Sequence, residues 1–400
     1  VLVSYMQALS NEAGYKFTSF PITDENNKLI GLITRDELDF VESRNPPLSD
    51  IMKTREQVIT APEGVGSEEA YAIMRKTKVK KLPVVSKEDK LVGMYVWSDV
   101  KNDQRQRDNF SLDDEGHFLV AAAVGVGLSE MSRVSTLVDA GCRMLVLDSS
   151  HGACSPALEQ MRRIRAKYGS RVQIVVGNIA SYDSAKYLLS DPTALPDALK
   201  VGIGPGSICT TRRVTGHGIP QVTAIYQVNR ACVEHMQAHG VGIPIIADGG
   251  IRTSGDIVKA LAAGASAVML GSVFAGCAES PGQLIMKSGK SYKAIRGMGS
   301  RAAMEARSGS RLRYKHVDNE HKSEELTTEQ KQKMVPEGIS GLVEYKGSLE
   351  KVMNNLIGGV QAGLAHTGAG NISDFQKKAT FWIQSFAGVK EGNPHDVADI

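Results

Sequence analysis

Val201-Gly-Ile-Gly-Pro-Gly-Ser-Ile-Cys-Thr-Thr-Arg212 decides how this chain is read. The apolar run Leu199–Gly204 breaks into glycines and Pro205, which continue neither a strand nor a helix. A serine, a cysteine, two threonines and an arginine follow at once. The stretch reads as a buried strand ending in a loop that presents Cys209 to something polar. Five further runs share its texture: Phe118–Val124, Met144–Asp148, Gln173–Gly177, Pro244–Gly249 and Ala267–Gly271. Helical segments separate them. Continuous apolar strands alternating with helices predict a parallel sheet covered on both faces.

Polar residues and glycines gather after each strand, as at the C-terminal face of a (β/α)8 TIM barrel. Ser254-Gly-Asp-Ile-Val-Lys-Ala-Leu261 opens one of the helices, with a serine cap and an early aspartate. Six strands are readable, whereas a closed barrel has eight. The start, Val1-Leu-Val-Ser-Tyr-Met6, has neither a charged leader nor an initiator methionine. The expectation is an α/β barrel whose first two strands are missing from this sequence.

Ahead of the barrel the chain repeats itself. Pro21-Ile-Thr-Asp-Glu-Asn-Asn-Lys-Leu-Ile-Gly31 recurs as Pro83-Val-Val-Ser-Lys-Glu-Asp-Lys-Leu-Val-Gly93. Each copy reads as strand, polar turn and strand, then an acidic helix start at Asp36 or Asp99. An amphipathic helix precedes each copy, near Val1–Ala8 and over Ser67–Lys76. Two such halves bury against each other what one alone cannot. Residues 102–117 are polar and read as a linker. The predicted organisation is residues 1–101, a linker, and a barrel over 118–400 with a polar, apolar-poor flap at 305–334.

Bulk composition narrows the function. The 400 residues allow two domains, and a net charge of +3 gives no nucleic-acid footprint. Five cysteines, with no C-x-x-C pair, argue against a disulfide framework or structural zinc and for a reducing, cytoplasmic setting. No apolar run reaches the ~18–20 residues of a membrane span.

The polar strand ends carry the chemistry. Cys209 follows a glycine loop with Arg212 and Arg213 close by, a setting that favours a nucleophilic thiolate. Asp248 can accept from vicinal ribose hydroxyls, and Ser207 and Ser272 can donate to phosphate. Gly249, Gly250 and Gly271 let the backbone approach an anion at the last two strands, where barrels commonly hold a phosphate. The glycine spacing at 202–206 is not that of a dinucleotide-binding Rossmann turn.

Two resemblances follow. The repeat over residues 1–101 resembles a tandem pair of CBS motifs (a Bateman module), which often binds adenine or guanine nucleotides. Gly202–Arg212, Ile246-Ala-Asp-Gly-Gly-Ile-Arg252 and Arg296-Gly-Met-Gly-Ser300 are similar to signatures of the IMP dehydrogenase and GMP reductase family. That likeness runs from about residue 118 to 397. It implies that Cys209 attacks C2 of the purine while a hydride passes to or from nicotinamide, with Thr211 as the catalytic threonine. It implies Ser207, Gly250, Gly271 and Ser272 at phosphate, Asp248 at ribose, and Met298, Gly299 and Glu337 at the base. Asp148, Ser149, Ser150 and Gly202 match contacts to NAD. Carbonyls of Gly204, Gly206 and Cys209 resemble a potassium site, completed by Glu391, Gly392 and Asn393 of a neighbouring subunit. The implied assembly is a homotetramer through the barrel, with octamers through the CBS pair.

The resemblance also bears on direction. Arg313-Tyr314 matches the flap pair that activates water in the dehydrogenases, and Asp148-Ser-Ser-His-Gly152 is dehydrogenase-like. The reductases' catalytic glutamate position is Arg301 here. The reading is NAD-dependent oxidation of IMP to XMP. An NADPH-dependent GMP reductase and an inactive nucleotide-sensing relative are the alternatives. Two departures stand out. Ile295 replaces the family's phosphate-binding tyrosine, a loss of about 1–3 kcal/mol if uncompensated. Lys315-His316 replaces an aromatic after the flap pair.

Overall fold

A computed structural model describes residues 19–39, 46–106, 111–113, 116–306, 310, 313 and 328–394. The expected first helix near Val1–Ala8, Tyr314, and Lys315-His316 lie outside these residues. The chain divides into two compact units, Val1–Phe118 and Leu119–Ile400.

In the first unit the sequence repeat becomes a structural one. Phe20–Thr23 pairs antiparallel with Leu29–Ile33, and Lys81–Val85 pairs antiparallel with Leu91–Val96. The turns match: Asn27 and Asp89 hold φ of 63° and 64°, left-handed positions that short polar side chains tolerate. The two copies then bond reciprocally. The Leu29 amide donates to the Asp89 carbonyl at 3.0 Å, and the Leu91 amide to the Asn27 carbonyl at 2.9 Å. Leu29, Leu32, Val58 and Val85 form the shared core beneath this junction. The helix expected at Ser67–Lys76 spans Ser67–Thr77. The stretch expected as linker begins as helix, because Trp97–Gln106 continues without a break.

The second unit is built on six parallel strands: β1 (Ala121–Val124), β2 (Met144–Asp148), β3 (Gln173–Ile179), β4 (Ala198–Val201), β5 (Ile245–Asp248) and β6 (Ala267–Met269). They lie side by side in chain order. Helices α1 (Met131–Asp139), α2 (Ser155–Tyr168), α3 (Tyr182–Leu189), α4 (Gln221–His239) and α5 (Ser254–Ala262) cross between strands. They pack one face of the sheet through a core that includes Leu145, Met161, Ile174, Leu199, Ile225 and Ile245. On alternate positions Val146, Val175 and Ala198 form a smaller apolar cluster with Met144 and Ile246 on the other face.

Every expected strand is present, Met144–Asp148 with the expected ends and the others with shifted ones. β1 starts at Ala121, and Phe118, Leu119 and Val120 ahead of it are 53–64% exposed. β4 stops at Val201 because Gly202 turns the chain at φ 147°. A Cβ there would stand 2.1 Å from the Asp248 carbonyl oxygen, so only glycine lets these strand ends meet. The cap of α5 is Thr253, not Ser254. The Thr253 hydroxyl accepts from the Asp256 amide at 3.4 Å, while Asp256 accepts from the Thr253 amide at 3.1 Å. The sheet is an open, six-stranded part-barrel; the described residues do not close an eight-stranded one.

Candidate active site

The loop after β4 is held by two others. The Thr210 amide donates to the Glu337 carbonyl at 2.9 Å, and the Ile339 amide to the Ile208 carbonyl at 2.9 Å. The Glu337 amide donates to the Gly299 carbonyl at 2.9 Å. Residues 208–210, 297–300 and 335–339, far apart in sequence, thus form one layer. The antiparallel pairing of Lys290–Arg296 with Ser340–Glu344 sets the last two of these segments side by side.

Cys209 sits half-buried in that layer, and its Sγ–H donates to Thr211 Oγ1 at 3.1 Å. Thr211 Oγ1 in turn donates to Glu337 Oε2 at 2.8 Å. Thiol, hydroxyl and carboxylate line up as donor, relay and acceptor, a route for the thiol proton. Cys232 shows the contrast: buried in the core, its thiol is pushed up to about 12 by desolvation and is chemically inert. All five cysteines are free thiols.

The second cluster lies across strand ends. Lys200, 3% exposed, points its Nζ to Asp248 Oδ2 at 2.6 Å and to Asn178 Oδ1. Nζ also stands 3.1 Å from Asp148 Oδ1, an ion-pair contact without hydrogen-bond geometry. Asn178 Nδ2 donates to Asp248 Oδ2 at 2.9 Å and to the Gly202 carbonyl at 2.7 Å. A register shift makes this possible. Lys200 pairs with Gly177 and Val201 with Ile179, so Asn178 has no partner in the ladder. Arg313 forms an ion pair with the other oxygen of Asp148. Neither Lys200 nor Asn178 was singled out by sequence. The available signal was a lysine inside a strand whose every residue is buried.

The remaining expected residues are placed as follows. Gly271 and Ser272 open the short helix Ser272–Ala275, with the Gly271 carbonyl accepting from the Phe274 amide at 3.1 Å. Gly250 follows β5, and Ser207 is exposed in the Cys209 loop. Met298 is half-exposed beside Gly299. The Ser149 amide donates to the Gly177 carbonyl at 3.0 Å, which fixes the turn that carries Ser149 and Ser150. Glu391, Gly392 and Asn393 end the helix Phe386–Glu391. Ile295 faces Gly341 across an unbroken antiparallel register. Tyr292 is three positions away on that strand and so lies on its opposite face, which removes it as a stand-in for the missing phenol. Arg301 donates to the Lys331 carbonyl at 3.2 Å, while the carboxylate on Thr211 comes from Glu337.

Residues 52–395 match the IMP dehydrogenase / GMP reductase domain, and residues 6–41 match the CBS domain. The chain belongs to the IMP dehydrogenase / GMP reductase family. An inosine-5′-monophosphate dehydrogenase of Aquifex aeolicus is 44% identical over 393 residues, covering 98% of this chain and 75% of the relative. The Escherichia coli K12 enzyme of the same name is 44% identical over 95% of this chain and 73% of the relative. A crystal structure of a Trypanosoma brucei GMP reductase with guanosine 5′-monophosphate superposes with a TM-score of 0.75 at 34% identity. It covers 95% of this chain, which spans 74% of that one. The two matches account for a barrel sheet and a CBS domain in one chain. No helix among the described residues is long and apolar enough to cross a membrane.

Proposed function

We propose that this protein is an IMP dehydrogenase, which oxidises IMP to XMP through a covalent bond to Cys209. The observation that carries the chemistry is the Cys209–Thr211–Glu337 hydrogen-bond chain. Cys209 loses its proton through Thr211 toward Glu337, and the thiolate adds to C2 of the purine. NAD, when bound, accepts the hydride that leaves C2. Water then displaces the sulfur, giving XMP and restoring the thiol; the net reaction is IMP + NAD+ + H2O to XMP + NADH + H+. Asp248 takes the ribose hydroxyls, and Ser207, Gly250, Gly271 and Ser272 take the phosphate. Met298, Gly299 and Glu337 border the base.

Asp148, Ser149, Ser150 and Gly202 would hold NAD. Arg313 stands on that same Asp148, so the flap segment and the nicotinamide take turns at one carboxylate. Arg313 then serves the hydrolytic half of the cycle, with Tyr314 beside it in sequence. Carbonyls of Gly204, Gly206 and Cys209, with Glu391, Gly392 and Asn393 of a second copy, would hold potassium. Among the described residues no loop backbone bond ends on the carbonyl of Gly204 or Cys209, while the Gly206 carbonyl accepts the Cys209 amide at 3.1 Å and keeps one lone pair for an ion. That arrangement fits a homotetramer, and the CBS pair fits an adenine or guanine nucleotide. The five free cysteines support cytoplasmic residence.

A carboxylate on Thr211 also suits reductive deamination, so direction needs its own assay. IMP with NAD+ is expected to generate reduced cofactor. Consumption of NADPH with GMP, and none of the first reaction, overturns the direction. No turnover of either, with tight nucleotide binding, leaves a sensing role.

A further inference from the structure

Lys200 is a buried cation on which three strand ends converge. Its Nζ meets Asp148 at the end of β2, Asn178 at the register shift near the end of β3, and Asp248 at the end of β5. Two of its N–H groups thereby donate to Asn178 and Asp248, and the ammonium forms an ion pair with Asp148. Asp248 and Asp148 are the carboxylates assigned above to substrate ribose and to cofactor, so this inference rests on that assignment. We infer that Lys200 is the positioning residue that orients Asp248 toward the ribose and keeps Asp148 paired while Arg313 and the cofactor exchange on it.

The geometry supports both halves. Lys200 and Asn178 both converge on Asp248 Oδ2, which fixes the carboxylate and leaves Oδ1 for a ligand. On Asp148 the two cations divide the oxygens, Lys200 at Oδ1 and Arg313 at Oδ2. When Arg313 leaves, Asp148 keeps one cation, so the half-buried carboxylate is never orphaned. Lys200 reaches these groups because Gly177, its partner in β3, has no side chain. A Cβ there would stand 2.5 Å from the Lys200 carbonyl oxygen.

The test is Lys200→Met, which keeps the apolar stem of the side chain and removes the charge. The expected result is a Michaelis constant for IMP raised roughly tenfold to a hundredfold, the loss of charged hydrogen bonds to one carboxylate. The constant for NAD should rise as well, and kcat should fall less than either constant rises. Unchanged constants for both ligands overturn the inference, as does a loss confined to kcat. Should the single variant fail to fold, Lys200→Met with Asp148→Asn removes the orphaned charge and carries the test through IMP binding by equilibrium dialysis. Wild-type affinity in that variant overturns the inference. Wild-type protein that does not oxidise IMP sinks the underlying assignment instead, so the two failures are distinguishable.

Discussion

Glu337 accepts a 2.8 Å hydrogen bond from Thr211 across 126 positions of sequence, and Thr211 accepts the Cys209 thiol at 3.1 Å. The Glu337 main chain serves too, its carbonyl taking the Thr210 amide, so the carboxylate is anchored at both ends of the residue. Glu337→Gln keeps the shape and removes the final proton acceptor. It is expected to lower kcat by about 10²–10⁴-fold. The rate at which iodoacetamide alkylates Cys209 should fall with it. Wild-type alkylation and turnover would remove Glu337 from the relay.

Cys209→Ala removes the covalent step and nothing that fixes the loop, which hangs on backbone bonds of Thr210 and Ile208. Turnover is expected to vanish while IMP affinity stays within a few-fold of wild type. Calorimetric titration with IMP checks the second half. Measurable NADH production from the alanine variant would end the assignment of the nucleophile.

Much of this site was legible in the sequence, for reasons that vary by residue. Cys209, Asp248 and the Gly271–Ser272 turn stand at strand ends, where a break from apolar to glycine and polar residues announces a loop. Glu337 was read as a contact to the base. Its place on Thr211 depends on a strand pairing between Lys290–Arg296 and Ser340–Glu344 that no local pattern announces. Lys200 and Asn178 were hidden because the runs were read for apolar continuity, and a bulge has no sequence period. The cap of α5 moved from Ser254 to Thr253 because both residues cap well and only the turn geometry chooses between them. The repeat was legible as strand, polar turn and strand in each copy, whereas the left-handed turns at Asn27 and Asp89 and the bonds between the halves emerged only in the structure.

Arg313 pairs with Asp148, the carboxylate proposed above for the cofactor, and on that proposal its role separates in time from hydride transfer. Arg313→Ala is expected to retain a rapid burst of NADH and to slow steady-state turnover by about 10²-fold or more. Stopped-flow absorbance against single-turnover quench resolves the two phases. A steady state equal to wild type would leave hydrolysis without Arg313.

Ile295 stands where the resemblance implies a phosphate-binding tyrosine, and Tyr292 faces the other side of the strand. Ile295→Tyr is expected to restore one hydrogen bond and lower the Michaelis constant for IMP about tenfold. Inosine, which lacks the phosphate, should gain nothing from the substitution. An equal gain for inosine would show that the phenol acts by packing.

In the CBS unit, Arg55 chelates Asp89 through Nε and Nη2, at 2.8 and 2.7 Å, beneath the reciprocal bonds of the repeat. The side-chain hydrogen bond from Arg55 holds the Asp89 carboxyl below its ordinary range. A depressed folded-state pKa means stability that is fully present above the unfolded value, near about 4, and lost as pH falls through the folded one. Asp89→Asn should therefore weaken this unit at neutral pH by up to about 1 kcal/mol, the range for a solvent-screened surface pair. The gap between variant and wild type should close as pH drops below about 4. Hydrogen exchange at the Leu91 amide, which bonds to Asn27 across the repeat, reads the local opening directly. A gap that persists undiminished at acidic pH would mean that Asp89 stabilises the junction by its turn conformation and not by its charge.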